Sequence, residues 1–250
     1  YGGIGLGVIS GIGLFILTFV FGLKPGVPPV GVMLTIMSVI ACASVLQSAG
    51  GLNVIMRFAE KILRKNPSYI TILAPITTWT LTVLCGTGHV VYTMFPIIYD
   101  IAIKKNIRPE RPMAVASVAS QIGICASPMS VAVVSMVSIL AESHGIGKAI
   151  SLIDLLKVAI PASFAGVLMA ALWSLRRGKD LSKDKEFQEK IKDPEQAKYI
   201  YGESKETLLN QKFPKESYLS TGIFFATTAL VVMFGAFENL RPHFLIGGKE

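Results

Sequence analysis

Charged residues are scarce in this sequence. Asp, Glu, Lys and Arg make up 16% of its 250 residues, whereas hydrophobic residues make up 52% and the mean hydropathy is +0.57. Soluble domains contain about 25% charged residues. The composition therefore argues against an ordinary soluble domain and predicts an all-α polytopic membrane protein.

Cysteine is also rare, which limits the chemistry we expect. Cys42, Cys85 and Cys125 lie in apolar segments and lack the spacing of metal ligands, so we predict packing roles and neither a disulfide framework nor a zinc site. No metal, cofactor or catalytic residue is expected. The chain begins at Tyr1 without a cleavable signal pattern, and we expect it to be an internal piece of a longer protein.

Long apolar runs predict the membrane helices. A helix that crosses a membrane needs about 20 apolar residues. Residues 3–23 and 30–48 fulfil this, so we predict two scaffold transmembrane helices within residues 1–51. Residues 151–175 and 218–237 predict two further transmembrane helices.

Basic residues predict the orientation. Residues 52–68 read as an amphipathic helix on the cytoplasmic face, with Glu60 among the charged residues of its polar side. Residues 176–217 mix 11 basic with nine acidic residues and read as a charged cytoplasmic loop, a solvated tether. These two segments and residues 104–111 hold 19 of the 24 Lys and Arg, which is typical of cytoplasmic loops. The net charge of +8 thus fits a lipid bilayer as partner, and no nucleic acid is expected.

Residues 69–103 contain an interruption, "CGTGH", between two apolar runs. As helices, residues 69–85 and 90–103 would be about 25 and 21 Å long, short of a hydrocarbon core of about 30 Å. We therefore predict a re-entrant hairpin whose tip is covered by protein or water, because exposed irregular backbone is not tolerated in lipid.

Residues 113–141 are long enough to cross the membrane, but "ASPMS" at 126–130 interrupts them. Proline removes a backbone donor and breaks the helix. The half-helix after the break and the second hairpin arm would present N-terminal amides near the midplane, where secondary transporters hold anionic substrates. The candidate substrate-binding residues are Gly86, Thr87, Gly88, His89, Ser127, Pro128, Met129 and Ser130. For Gln121, a hydrogen bond between helices and a contact with substrate are equally good interpretations.

Three blocks carry a family resemblance: "GLKPGVPPVGVMLTIMSVIACASVLQSAGGL", "AEKILRKNPSYITILAPITTWTLTVLCGTGH" and "IRPERPMAVASVASQIGICASPMSVAVV". They resemble the anaerobic C4-dicarboxylate transporter (Dcu) family, whose members exchange fumarate, malate, aspartate and succinate across the bacterial inner membrane. The resemblance implies an inverted-repeat transporter-type half with a re-entrant helical hairpin and a broken transmembrane helix. It also implies a missing C-terminal half of the same protein, which would complete the site, and it leaves a homo-oligomer open.

Other functions remain as alternatives. A cation-coupled symporter or ion antiporter could use the same type of scaffold, although every Asp and Glu lies near a segment end. A membrane-embedded hydrolase using Ser127 or Ser130 with His89 lacks an acidic residue to orient the histidine. A sensory or structural role is a further alternative.

Overall fold

The chain is all-helical, as the composition predicts. The computed structural model describes residues 2–24, 30–142, 150–202 and 207–236, and these ranges contain α-helices and short 3-10 helices but no β-strand. The 3-10 helices are Pro67–Tyr69 and Leu181–Lys183. In chain order the α-helices are α1 (Gly2–Phe19), α2 (Val30–Ser48), α3 (Gly51–Lys65), α4 (Ile70–Cys85), α5 (Val90–Lys104), α6 (Glu110–Ile124), α7 (Val131–Glu142), α8 (Leu152–Ser174), α9 (Lys185–Lys190), α10 (Pro194–Tyr201) and α11 (Lys215–Ala236).

Several of these helices are long and apolar enough to cross a membrane. Among the described residues they are Pro67–Cys85, Leu152–Ser174 and Lys215–Phe234. A fourth candidate is a bent pair, Ile36–Ser48 and Gly51–Lys65, whose axes differ by 70°. Because Pro67–Cys85, which joins the 3-10 helix to α4, passes this test of length, the assignment of α4 to a re-entrant hairpin stays a prediction, as do the other predicted membrane segments.

The chain divides into two compact units, Tyr1–Leu34 and Thr35–Glu250. In the first unit the rings of Phe15 and Phe19 on α1 are in contact, with centroids 4.6 Å apart and planes inclined by 35°. The second unit contains all the candidate site residues. Its largest buried cluster is formed mainly by α3, α4 and α5.

Small residues let α4 and α6 approach closely. A β-carbon added at Gly123 would lie 2.9 Å from Cβ of Thr82 and 3.1 Å from the carbonyl oxygen of Trp79. The Thr78 hydroxyl also lies 3.2 Å from the carbonyl oxygen of Ala116 on α6. Small residues at helix crossings are typical of membrane proteins, where close packing supplies much of the association energy. These contacts hold α4 against α6, and one of them, between Thr82 and Gly123, lies just before the tip and the break.

Glu60 departs from the predicted pattern of α3. The prediction that it belongs to an exposed polar side is wrong, because its side chain is fully buried. It accepts hydrogen bonds from Arg64 Nε at 2.7 Å, Thr207 Oγ1 at 2.7 Å and the Leu208 amide at 2.8 Å. Arg64 also reaches Asp100 of α5 at 2.8 Å. The carboxylate is buried because residues 207–208, in the segment before α11, supply two of its donors.

The prediction of a solvated tether does not hold for residues 177–181, which lie against the start of α6, whereas most positions from 182 to 202 are exposed. Arg111 at the start of α6 donates to Asp180 Oδ1 at 2.8 Å and to the carbonyl oxygens of Gly178 and Arg177. Leu181 is buried, and its amide donates to the Asn106 carbonyl at 3.1 Å. Because these donors and one apolar anchor hold it, the loop folds against the start of α6.

Candidate functional site

The hairpin tip is a tight turn between α4 and α5. Gly86 has a φ of +73°, in the left-handed region that favours glycine, and its amide caps α4 by donating to the Thr82 carbonyl at 2.8 Å. The His89 amide makes a long contact of 3.4 Å with the Thr87 hydroxyl. Helix α5 starts at Val90, directly after His89. The turn therefore depends on the backbone freedom of glycine at position 86.

The break between α6 and α7 covers residues 125–130. Ser127 and Ser130 are both fully buried. The Ser127 hydroxyl accepts from the Met129 amide at 3.2 Å, and the Ser130 hydroxyl accepts from the Val133 amide at 3.2 Å. Ser130 thus caps α7, as serine commonly does at a helix start.

The structure brings the tip and the break together. A β-carbon added at Gly86 would lie 2.8 Å from the Met129 carbonyl oxygen and 3.0 Å from its carbonyl carbon. The two irregular backbones therefore touch. Each interruption covers the other, which answers the requirement that irregular backbone be buried against protein.

Gln121 lies at the same junction, one turn before the end of α6. A β-carbon added at Gly88 would lie 2.8 Å from Gln121 Nε2 and 3.3 Å from Oε1. The Gln121 side chain is exposed beside the tip, so its amide offers both a donor and an acceptor there.

Some backbone amides at the starts of α5 and α7 already donate to other groups, and the remaining ones are available to an anion. On α5 the amides of Val91 and Tyr92 already donate to the carbonyls of Gly88 and His89, at 3.4 and 3.1 Å. On α7 the Ser130 cap takes the Val133 amide, so the first-turn amides of Val131 and Ala132 lie before it at exposed positions. First-turn amides have no partner inside their own helix, and the helix dipole favours negative charge there. The start of α7 is therefore better suited to an anion than the start of α5.

His89 has an exposed side chain at the tip. Its ring stacks on Tyr92 with centroids 6.0 Å apart and planes inclined by 23°. Cys125, at the break, is also exposed, whereas Cys85 at the tip is buried. Among the described residues no three His, Cys, Asp or Glu side chains lie close enough to hold a metal ion.

Sequence reasoning missed Thr82. Its hydroxyl is fully buried and has no hydrogen-bond partner among the described residues, one helical turn before Gly86. Thr71, Thr77, Thr78, Thr80 and Thr82 all lie on α4, and no sequence signal separates the unpaired hydroxyl from the others. Only the contacts in the folded structure identify it.

Comparison with known proteins assigns the family. A family model described as "Anaerobic c4-dicarboxylate membrane transporter" matches residues 1–248. The chain belongs to this family. The resemblance seen in the sequence is confirmed, and with its long apolar helices the chain is a multi-pass membrane protein from a family of transporters rather than enzymes.

The relatives agree with this assignment. "Anaerobic C4-dicarboxylate transporter DcuB" of Escherichia coli O6:H1 is 54% identical over 248 residues, which cover 99% of this chain and 55% of that protein. "C4-dicarboxylate transporter DcuA" of Wolinella succinogenes is 43% identical over 190 residues, or 76% of this chain and 43% of the relative. The Helicobacter pylori protein of that name is 38% identical over 235 residues, or 94% of this chain and 51% of the relative.

The chain spans about half the length of the curated relatives it matches. No solved structure matches it.

Proposed function

We propose that the chain forms the substrate-binding half of a secondary transporter that exchanges C4-dicarboxylates across the bacterial inner membrane. Family membership supports the substrate class. The observation that carries the site is the contact of the Gly86 tip with the Met129 carbonyl, because it joins both interrupted segments into one candidate site. The rest of the full-length protein would complete that site.

In this proposal a substrate carboxylate binds at the start of α7. The amides of Val131 and Ala132 would donate to it, and the helix dipole would favour its charge. The second group of contacts comes from the Thr87 hydroxyl and the exposed Gln121 amide at the tip. Fumarate, succinate, malate and aspartate all carry two carboxylates, so this arrangement suits the whole class.

In our proposal the two buried serines do not contact the substrate directly. Ser127 and Ser130 hydroxyls accept from local amides, so in our proposal they hold the break in the shape that leaves the first α7 amides open. No Lys or Arg lies at residues 86–89 or 121–132. Recognition by dipoles and neutral donors suits exchange, because a bound substrate must also leave.

Exchange in proteoliposomes tests the proposal. The full-length protein takes up labelled succinate in vesicles with or without unlabelled fumarate inside. We expect uptake only with internal dicarboxylate. Uptake that instead follows an imposed sodium or proton gradient would overturn exchange and support the cation-coupled alternative.

Matched variants test the site. Thr87→Val removes a tip hydroxyl and should raise KM for succinate about tenfold, the equivalent of one hydrogen bond to a charged group. Thr93→Val removes an exposed hydroxyl of α5 outside the tip and should leave KM unchanged. Equal behaviour of the two variants would remove the tip from the site.

A further inference from the structure

We propose that α3 and the apolar groove beside it bind one anionic phospholipid. An acyl chain would lie in the groove, and the phosphate would be held by Lys61 and Lys65. This site is separate from the tip and the break, and its test does not require transport.

The groove runs between α3, α4 and α11. Its volume is about 550 Å³, within the range of small-molecule pockets. It is lined almost entirely by apolar side chains, among them Val54, Phe58, Ile62, Ile76, Leu84 and Phe225. Along α4 its lining extends from Leu73 to Leu84, about 16 Å of helix. An elongated apolar groove of this kind fits a hydrocarbon chain.

The α3 side chains that line the groove are not fully covered by the rest of the protein. Val54, Phe58 and Ile62 are four residues apart and form one stripe on the helix. Phe58 is 67% exposed and Ile62 is 37% exposed. Helix α3 therefore presents apolar area beside the groove as well as its buried face.

A basic stripe lies directly beside this apolar stripe. Arg57, Lys61 and Lys65 are also four residues apart, and on a helical projection they follow the edge of the Val54–Ile62 stripe. Lys61 and Lys65 are exposed and form no ion pair with any described residue, whereas Arg64 of the same helix is paired with Glu60 and Asp100. Two unpaired ammonium groups thus lie at the rim of an apolar groove.

The direction of α3 is compatible with a position along a membrane surface. Its axis is inclined by 70° to that of the apolar helix segment Ile36–Ser48, and it carries the charged residues of the pair. A helix in that plane presents apolar residues to acyl chains and basic residues to anionic headgroups. Charge complementarity selects an anionic phospholipid over a zwitterionic one, and the two lysines would repel a second copy of the same face.

Lipid retention by the full-length protein tests the headgroup contact. Native mass spectrometry of the purified protein is titrated with phosphatidylglycerol or with phosphatidylcholine of the same acyl chains. We expect one phosphatidylglycerol to bind more tightly than phosphatidylcholine. The double variant K61Q/K65Q should weaken that affinity roughly thirtyfold, since each basic residue contributes about a fivefold attraction at an anionic surface.

The control removes the same charge elsewhere. K185Q/K192Q changes two exposed lysines of the loop that lines no part of this groove, and should leave the preference for phosphatidylglycerol intact. An equal loss in both double variants would show diffuse attraction and overturn the proposed site, as would unchanged binding by K61Q/K65Q.

A second pair tests the groove. Thr80 lines it and is exposed, so Thr80→Trp should fill it and reduce binding about tenfold. Thr93→Trp adds the same ring at an exposed position of α5 and should not. Binding that survives Thr80→Trp would overturn the acyl contact.

Discussion

The backbone of Gly86 lies against the Met129 carbonyl, so closely that an added β-carbon would come within 2.8 Å of the oxygen. Gly86→Ala would therefore strain a positive φ, at about 1–2 kcal/mol, and also push the tip from the break. We expect it to abolish exchange in proteoliposomes and to lower the melting temperature. Gly166→Ala on α8, where a β-carbon meets nothing within 4 Å, should leave both unchanged. Full exchange by Gly86→Ala would mean that the contact is dispensable.

Two threonines on α4 should respond differently to replacement by valine. Thr78 and Thr82 are both fully buried. The Thr78 hydroxyl donates to the Ala74 carbonyl oxygen at 3.0 Å. The Thr82 hydroxyl has no hydrogen-bond partner among the described residues. Thr78→Val should destabilise the protein by about 1 kcal/mol. Thr82→Val should be neutral or stabilising, because it removes an unpaired buried hydroxyl. Thermal unfolding in detergent measures both, and a marked loss of stability in Thr82→Val would contradict the assignment.

The buried carboxylate of Glu60 should contribute strongly to stability. Glu60→Ala leaves the Thr207 hydroxyl and the Leu208 amide without their acceptor, and leaves Arg64 with Asp100 alone. Leaving a buried donor without its partner costs about 1–3 kcal/mol. We expect a lower unfolding temperature and faster hydrogen exchange at residues 207–214. Glu189→Ala, at an exposed loop position, is the control and should match the parent protein.

Arg111 should hold the charged loop in place. Arg111→Met removes the donors to Asp180 and to the Gly178 carbonyl while keeping much of the side-chain volume. Limited trypsin digestion should then cut within residues 179–198 several times faster. Lys105→Met, an exposed basic residue just before this contact, should leave the digestion rate unchanged. An unchanged rate in Arg111→Met would mean that other contacts suffice.

The breaks were predictable because their residues have strong backbone preferences. Glycine at 86 and proline at 128 each favour a helix end, and α4 and α6 end at Cys85 and Ile124. The all-helical fold and the family were also correctly predicted. The substrate-binding roles of these residues stay predictions.

Contacts between distant segments were not predictable. Gln121 reaches Gly88 because of the helical phase of α6 against the hairpin, which no local pattern encodes. Ser127 and Ser130 were predicted as substrate-binding residues, but whether a serine hydroxyl also accepts from a nearby amide, as both do here, depends on its rotamer. Glu60 looked solvent-exposed because its donors come from residues 207 and 208, far along the chain.

The long sequence separation between Glu60 and its donors has a consequence for how the chain folds during its synthesis. Glu60 and Thr207 are 147 positions apart, and ribosomes add about 5–20 residues per second. The chain therefore needs about 7 to 30 s after Glu60 is made before Thr207 exists. During that interval the chain already contains both partners of the Arg64–Asp100 ion pair between α3 and α5, whereas the Glu60 carboxylate lacks two of its three hydrogen-bond donors.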